Sequence, residues 1–232
     1  MTAHGEPRLL ADETWRDVAA TPPHVLAVPL GSTEQHGPHL PVGTDTLVAT
    51  ALAHRLAAAR GDVVIAPALP YGSSGEHAGF PGTLSIGQTA LEAVVVELVR
   101  SADAFAGVVL ISGHAGNAEP LDRAVATLTA EGRAVLGWIP AVPGGDAHAG
   151  RTETSLVLAI EPGAVREGAA AAGDTRPLAE IMPALRAGGV AAVSSNGVLG
   201  DPSGANAAEG ERLLDALAVD LAQAVAAWAP GR

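Results

Sequence analysis

Apolar residues in this 232-residue chain gather into short unbroken runs, separated by stretches where they recur every three or four positions. Four runs, VLAVPL (25–30), DVVIAP (62–67), GVVLIS (107–112) and AVLGWI (134–139), are rich in branched side chains and predict buried strands. Between them the spacing predicts helices. One runs from Asp45 to about Arg60 behind a Thr44 cap, with Leu47, Val48, Ala51, Leu52 and Leu56 on one face. Others cover roughly 88–103, then 117–132 ending at Gly132, and one opens at 152–160. The segment 161–204, rich in Ala, Gly and Pro, is expected to be partly irregular, and 205–228 reads as a closing helix. Strands that are apolar throughout, alternating with helices, indicate a Rossmann-like, three-layer α/β fold: a mostly parallel sheet flanked by helices. No linker or repeat interrupts the pattern, so one domain over 1–232 is expected.

Composition narrows the chemistry. The formal net charge of −12 argues against nucleic acid or an anionic membrane surface as partner. No apolar run is long enough to span a bilayer, and the opening MTAHGEPRLLADETW does not read as a signal peptide, so a cytoplasmic location is expected. There is no cysteine, which excludes disulfides, thiolate ligands and a Cys nucleophile. All 13 basic residues are arginine, which excludes a Schiff-base lysine and the lysine of a P-loop. His, Asp, Glu, Ser and the backbone remain.

Those residues fall in four places, each just beyond a predicted strand. Glu34, His36 and Asp45 follow the first strand; Ser74, Glu76 and His77 follow the second. His114 and Asn117 follow the third, and Asp146, His148 and Glu153 the fourth. The carboxyl ends of strands are where open α/β sheets bind ligands. Taken singly, Asp45 or Glu153 is explained as a first-turn helix acid and His114 as a turn residue. Taken together they form one polar rim. His24 and His54 read as surface residues, His4 as part of a frayed end, and His39 as either a loop residue or a group behind the site.

Carboxylates and imidazoles without thiolate suit zinc, manganese or ferrous iron. Glu34 and His36, two apart on an extended segment, can feed neighbouring ions, and Asp45 is the natural bridge between them. Two divalent ions per chain are therefore expected, a pair suited to amide hydrolysis.

PLGSTEQHGPHLPVGTDT, EHAGFPGTLSI, ISGHAGN and AHAGRTETSLVL resemble, in order, the signature blocks of the creatininase family. The resemblance implies a two-metal centre, hydrolysis of C–N bonds in amides, and closed homo-oligomers, often hexamers. It further implies that Glu34 and His114 hold one ion, that His36 holds the second and that Asp45 bridges them. His148 corresponds to a histidine beside the substrate, a candidate proton donor to the leaving nitrogen. Creatininase itself has a ligand Glu where this chain has Gly116, and Glu153 of the fourth block is the implied replacement, with a catalytic part beside His148. Ser74, His77, Asn117 and Asp146 are the candidates for contacting substrate.

The tail MPALRAGGVAAVSSNGVLGDPSGANAAEG (182–210) is similar to a peptide-maturing branch of the family. That branch implies, as substrate, a small radical-modified peptide cut near its C-terminus to release a crosslinked Val-Tyr unit. Two other readings are a cyclic amidohydrolase or deformylase acting on a small amide, and a non-catalytic metal-binding subunit of a maturation complex. No G-x-G-x-x-G, Walker A or G-x-S-x-G sequence supports a nucleotide-binding module or a serine hydrolase.

Overall fold

A computed structural model describes residues 7–22 and 24–228. Its centre is a five-stranded, wholly parallel sheet, built from β1 (Arg8–Leu9), β2 (Val25–Leu30), β3 (Val63–Ile65), β4 (Gly107–Ser112) and β5 (Val135–Trp138). The strand order is β1-β3-β2-β4-β5. The chain leaves β2 toward β3 on one side, then returns to lay β4 along the other. The order of winding thus reverses between β2 and β4, and the loops beyond their carboxyl ends part there to leave a crevice.

Alternation along the strands divides the interior into two cores. Val25, Ala27, Val109 and Ile111 face α2 (Thr44–Ala59), α5 (Arg151–Ile160) and α7 (Ala207–Trp228). Leu26, Val28, Leu30, Val108 and Leu110 face α3 (Gln88–Arg100) and α4 (Ala118–Ala130). Leu52 and Leu56 of α2, Leu128 of α4 and Leu221 of α7 are fully buried, so both helical layers are seated on the sheet.

The differences from the sequence expectations are local. The edge strand β1 and helix α1 (Trp15–Ala20) were not anticipated; β1 is two residues long and pairs only with β3, too short to leave a pattern. The run at 62–67 is strand over Val63–Ile65, and Ala66 and Leu69 go on donating to β2 carbonyls as the chain leaves the sheet. Thr44 lies inside α2, and its hydroxyl donates to the Pro41 carbonyl instead of capping. Within 161–204 a helix forms, α6 (Leu178–Gly188), although Pro183 sits inside it. Only Ile181 of α6 is fully buried, and it packs with Val190 and Leu199 in a small core of their own. His4 lies outside the described residues. No helix among the described residues is long and apolar enough to cross a membrane.

Candidate metal centre

The loops after β2, β3, β4 and β5 meet above the crevice. Glu34 and His36 lie just past β2, and both are fully buried. Asp45 is in the first turn of α2, 2% exposed. His77 closes a short 3₁₀ turn (Gly75–His77) after β3, His114 follows β4, and His148 precedes α5. Close approach of backbones makes this convergence possible: a Cβ at Gly113 would overlap the Asp45 carbonyl, so the start of α2 rests directly on the loop after β4.

Three groups of side chains bring ligand-type atoms within 4.8 Å of one another: Glu34, Asp45 and His114; His36, His148 and Glu153; and Glu34, His77 and His148. His36 Nε2 lies 3.2 Å from Asp45 Oδ1 and 3.9 Å from Glu153 Oε2. His114 Nε2 lies 3.2 Å from Glu34 Oε2, and its Nδ1 lies 3.5 Å from Asp45 Oδ2. Glu153 stands on the first turn of α5, with 24% of its side chain exposed. Its Oε2 accepts the Ala149 N–H at 2.5 Å, and Ala149 is the non-glycine residue held at positive φ (52°) among the described residues.

Protein charge alone perturbs these groups strongly. Burial, then repulsion from Asp45, pushes Glu34 up to about 7. Burial alone would depress His36, yet the Asp45 carboxylate lifts it to about 10. His114 is opposed by burial but raised to about 9 by Glu76, Glu34 and Asp45. Burial raises Glu153, and burial with His36 and His77 nearby holds His148 well below its ordinary value. Packed carboxylates are recruiting positive charge, which a divalent cation supplies better than protonated imidazoles do.

The donor set fits metal on two further observations. Glu34 Oε1 and Asp45 Oδ2 are buried and accept no hydrogen bond, although ring nitrogens lie 3.1 and 3.5 Å away off the line of one. Metal-binding histidines usually donate their second N–H to a carbonyl or carboxylate, which fixes the bare nitrogen. Three histidines do so with backbone carbonyls: His36 Nδ1 to Glu34 (3.1 Å), His114 Nε2 to Ser73 (3.1 Å) and His148 Nε2 to Gln35 (2.8 Å).

Beside the cluster opens a cavity of about 510 Å³. Asp45, Glu76, His114 and Glu153 line one end, and Leu156, Leu178, Met182, Leu185 and Val190 line much of the remainder. Helix α6, in the segment expected to be irregular, is therefore a wall of this cavity.

The residues expected to contact substrate separate. His77 joins the cluster, its Nε2 3.1 Å from Glu34 Oε1. Asp146 lines the cavity but accepts the Arg151 and Thr152 N–H groups that open α5. Ser74 is fully buried against Ser32, whose hydroxyl donates to Glu34 Oε2. Asn117 is fully buried; it accepts the Ser73 N–H and donates to the Gly31 carbonyl and Ser112 hydroxyl. In this structure Ser74 and Asn117 hold the loops together and present no atom to the cavity, because the chain packs over both.

His39, left open by the sequence, is buried behind the cluster and donates from Nε2 to the Thr154 hydroxyl. Sequence reasoning missed a part for Glu76 and Gln35. Glu76 Oε1 lies 3.3 Å from His114 Nε2, over Gly116, where any Cβ would overlap both. A glycine two residues after a rim histidine was the available signal.

Fold and site together define a parallel α/β protein with a buried histidine–carboxylate centre of metal-binding type at its switch point. The chain belongs to the creatininase family: the family model described as creatinine amidohydrolase matches residues 11–225. It is 51% identical to the mycofactocin precursor peptide peptidase of Mycolicibacterium smegmatis, over 97% of this chain and 94% of that protein. It is 48% identical to the protein of the same name from Mycobacterium tuberculosis, over 95% and 92%. A crystal structure of creatinine amidohydrolase superposes with a TM-score of 0.79 at 27% identity, covering 100% of both chains. A manganese form of creatininase superposes with a TM-score of 0.77 at 28% identity, covering 94% of this chain and 97% of that one.

Proposed function

We propose that this chain is a metal-dependent peptidase that cuts a radical-modified precursor peptide near its C-terminus and releases the crosslinked Val-Tyr unit. The observation that carries the reading is near-50% identity, spanning almost the whole chain, to relatives named for that peptidase activity. The buried cluster beside a largely apolar cavity is the chemistry such an activity requires.

Glu34, Asp45 and His114 would hold one divalent ion and His36, Asp45 and Glu153 the other, with Asp45 shared; zinc, manganese and ferrous iron all suit these donors. When bound, such ions would lower the pKa of an attacking water and polarise the scissile carbonyl. The remaining work falls to the protein. His148 turns its bare Nδ1 toward Glu34 and Glu153, 3.9 Å from an oxygen of each. It is neutral at pH 7, so it takes the proton of the attacking water and returns it to the leaving nitrogen. The apolar wall of Leu178, Met182 and Leu185 seats the released unit, whose bulk is aliphatic and aromatic. The enzyme acts as a cytoplasmic homo-oligomer, which would cover the exposed Tyr71, Leu84 and Ile86.

Incubation of the metal-loaded protein with modified and unmodified precursor, followed by mass spectrometry, tests this. The modified peptide is expected to lose its terminal unit, with the unmodified one cut poorly. The second reading, a cyclic amidohydrolase, is favoured by the superposition on creatinine amidohydrolase. Opening of creatinine at a comparable rate, with the modified peptide left intact, would establish it instead.

A further inference from the structure

Four histidines surround Glu34 and Asp45, and three of them give their outer N–H to a backbone carbonyl. His77 differs. Its Nδ1 lies 2.9 Å from the side-chain nitrogen of Gln35, a residue that is 6% exposed. The orientation of that amide is over-determined. Gln35 Oε1 accepts the Gly37 N–H at 2.8 Å, and Nε2 donates to the Gly197 carbonyl at 3.0 Å. Either bond alone fixes which end is nitrogen, and the two agree. Gly197, at φ +79°, is required here, since a Cβ would overlap the Gln35 amide. The same amide nitrogen also lies 3.1 Å from His148 Nε2. That ring nitrogen sits 2.8 Å from the Gln35 backbone carbonyl, which can only accept, so it carries hydrogen itself and cannot take the amide's. With one amide hydrogen committed to Gly197, the other is left for His77 Nδ1. That nitrogen must therefore accept, and a neutral His77 carries its proton on Nε2, the atom 3.1 Å from Glu34 Oε1.

The same residue orients a second histidine with opposite effect. The Gln35 backbone carbonyl accepts the Nε2–H of His148 at 2.8 Å, which leaves His148 Nδ1 bare and facing Glu34 and Glu153. We propose that Gln35 is a positioning residue that sorts two neighbouring histidines into opposite tautomers. It makes His148 the lone-pair group of the reaction and leaves His77 with hydrogen on the nitrogen that faces Glu34, so that His77 is not a metal ligand. The sorting reaches across the molecule, because Gln35 belongs to the loop after β2, His77 to the loop after β3, His148 to the loop after β5, and Gly197 to the C-terminal segment. What each histidine contributes to turnover rests on the peptidase reading; the tautomers themselves do not.

Two-bond 1H–15N correlation spectra of the full-length chain near neutral pH, with and without zinc, read ring tautomers directly. In the wild type both His77 and His148 are expected to carry hydrogen on Nε2. Gln35→Glu keeps the size and the acceptor for Gly37 but has no hydrogen for His77, so His77 is expected to move its proton to Nδ1. His148, held by a backbone carbonyl, is expected to stay as it was. Gln35→Met serves as a second variant, and should leave His77 without a fixed tautomer and His148 unchanged. On the modified peptide both variants should lose roughly 10–100-fold in kcat, the usual scale for partners of a ligand set, with KM nearly constant. A wild-type His77 protonated at Nδ1, or a His77 that keeps its tautomer in both variants, overturns the proposal. A split response of the two histidines with no peptide cleavage by the wild type would sustain the sorting and remove the peptidase reading.

Discussion

Glu153→Gln separates a helix-start acid from a metal ligand, because the structure assigns different sizes to the two roles. Glu153 occupies the first turn of α5, where a carboxylate stabilises by about 0.3–1 kcal/mol through the helix dipole. Its Oε2 also accepts the Ala149 N–H, and a glutamine carbonyl oxygen in the same place preserves that bond. The stability at risk is then the dipole contribution alone. In a protein of this size about 1 kcal/mol moves Tm by roughly 2–4 °C, so a fall of about 1–4 °C is expected. Burial and the Asp45 charge already hold the Glu153 pKa up, and removing its charge relieves that repulsion in the metal-free protein. The observed fall should therefore sit at the low end.

Metal affinity answers to the other role. Glu153 is 3.9 Å from both His36 Nε2 and His148 Nδ1. Loss of a charged ligand there should exceed the ~100-fold that an outer partner costs. That corresponds to more than about 2.8 kcal/mol at 1.4 kcal/mol per decade. Differential scanning fluorimetry of the metal-free protein and calorimetric metal titration of wild type and variant give the two numbers separately. A variant that binds both ions with wild-type affinity and cleaves at a near-normal rate would reduce Glu153 to a helix-start acid.

Four further outcomes are expected. In the metal-free protein at pH 7.5, His36 near 10 and His114 near 9 are both protonated; loading should release about two protons, and titrations in buffers of different ionisation enthalpy that show none would refute this. Because both pKa values are raised in the folded state, their stabilisation is full below the ordinary histidine value of 6.5 and is lost as pH rises through 9–10; the metal-free Tm should fall over that upper range. Gly116→Ala forces a Cβ against His114 and Glu76, and should weaken metal binding while circular dichroism stays native; unchanged affinity would show that these side chains move aside freely. Leu56→Ala, at a fully buried position of α2, should cost about 2–5 kcal/mol in denaturant melts with little change in metal affinity per folded molecule.

Short apolar runs and 3.6-residue periodicity are local properties, so the central strands, the helices between them and the rim after each strand were readable from the amino-acid order. So was the composition of the rim, since Glu34, His36, His114 and His148 lie in the connections that follow strands, and Asp45 and Glu153 in the first turns of the helices those connections lead into. Edge strand β1 was not readable, because two residues carry no period, and α6 was hidden by Pro183 and by an Ala- and Gly-rich neighbourhood. The part each rim residue plays depends on atoms far away in the chain. Ser74 and Asn117 looked like substrate contacts, but packing turned them inward onto Ser32, Ser73 and Gly31. His77 and His148 are the same side chain in sequence. Only the tertiary structure places an amide hydrogen against a ring nitrogen of one and a carbonyl against that of the other, and a proton follows the partner it is given.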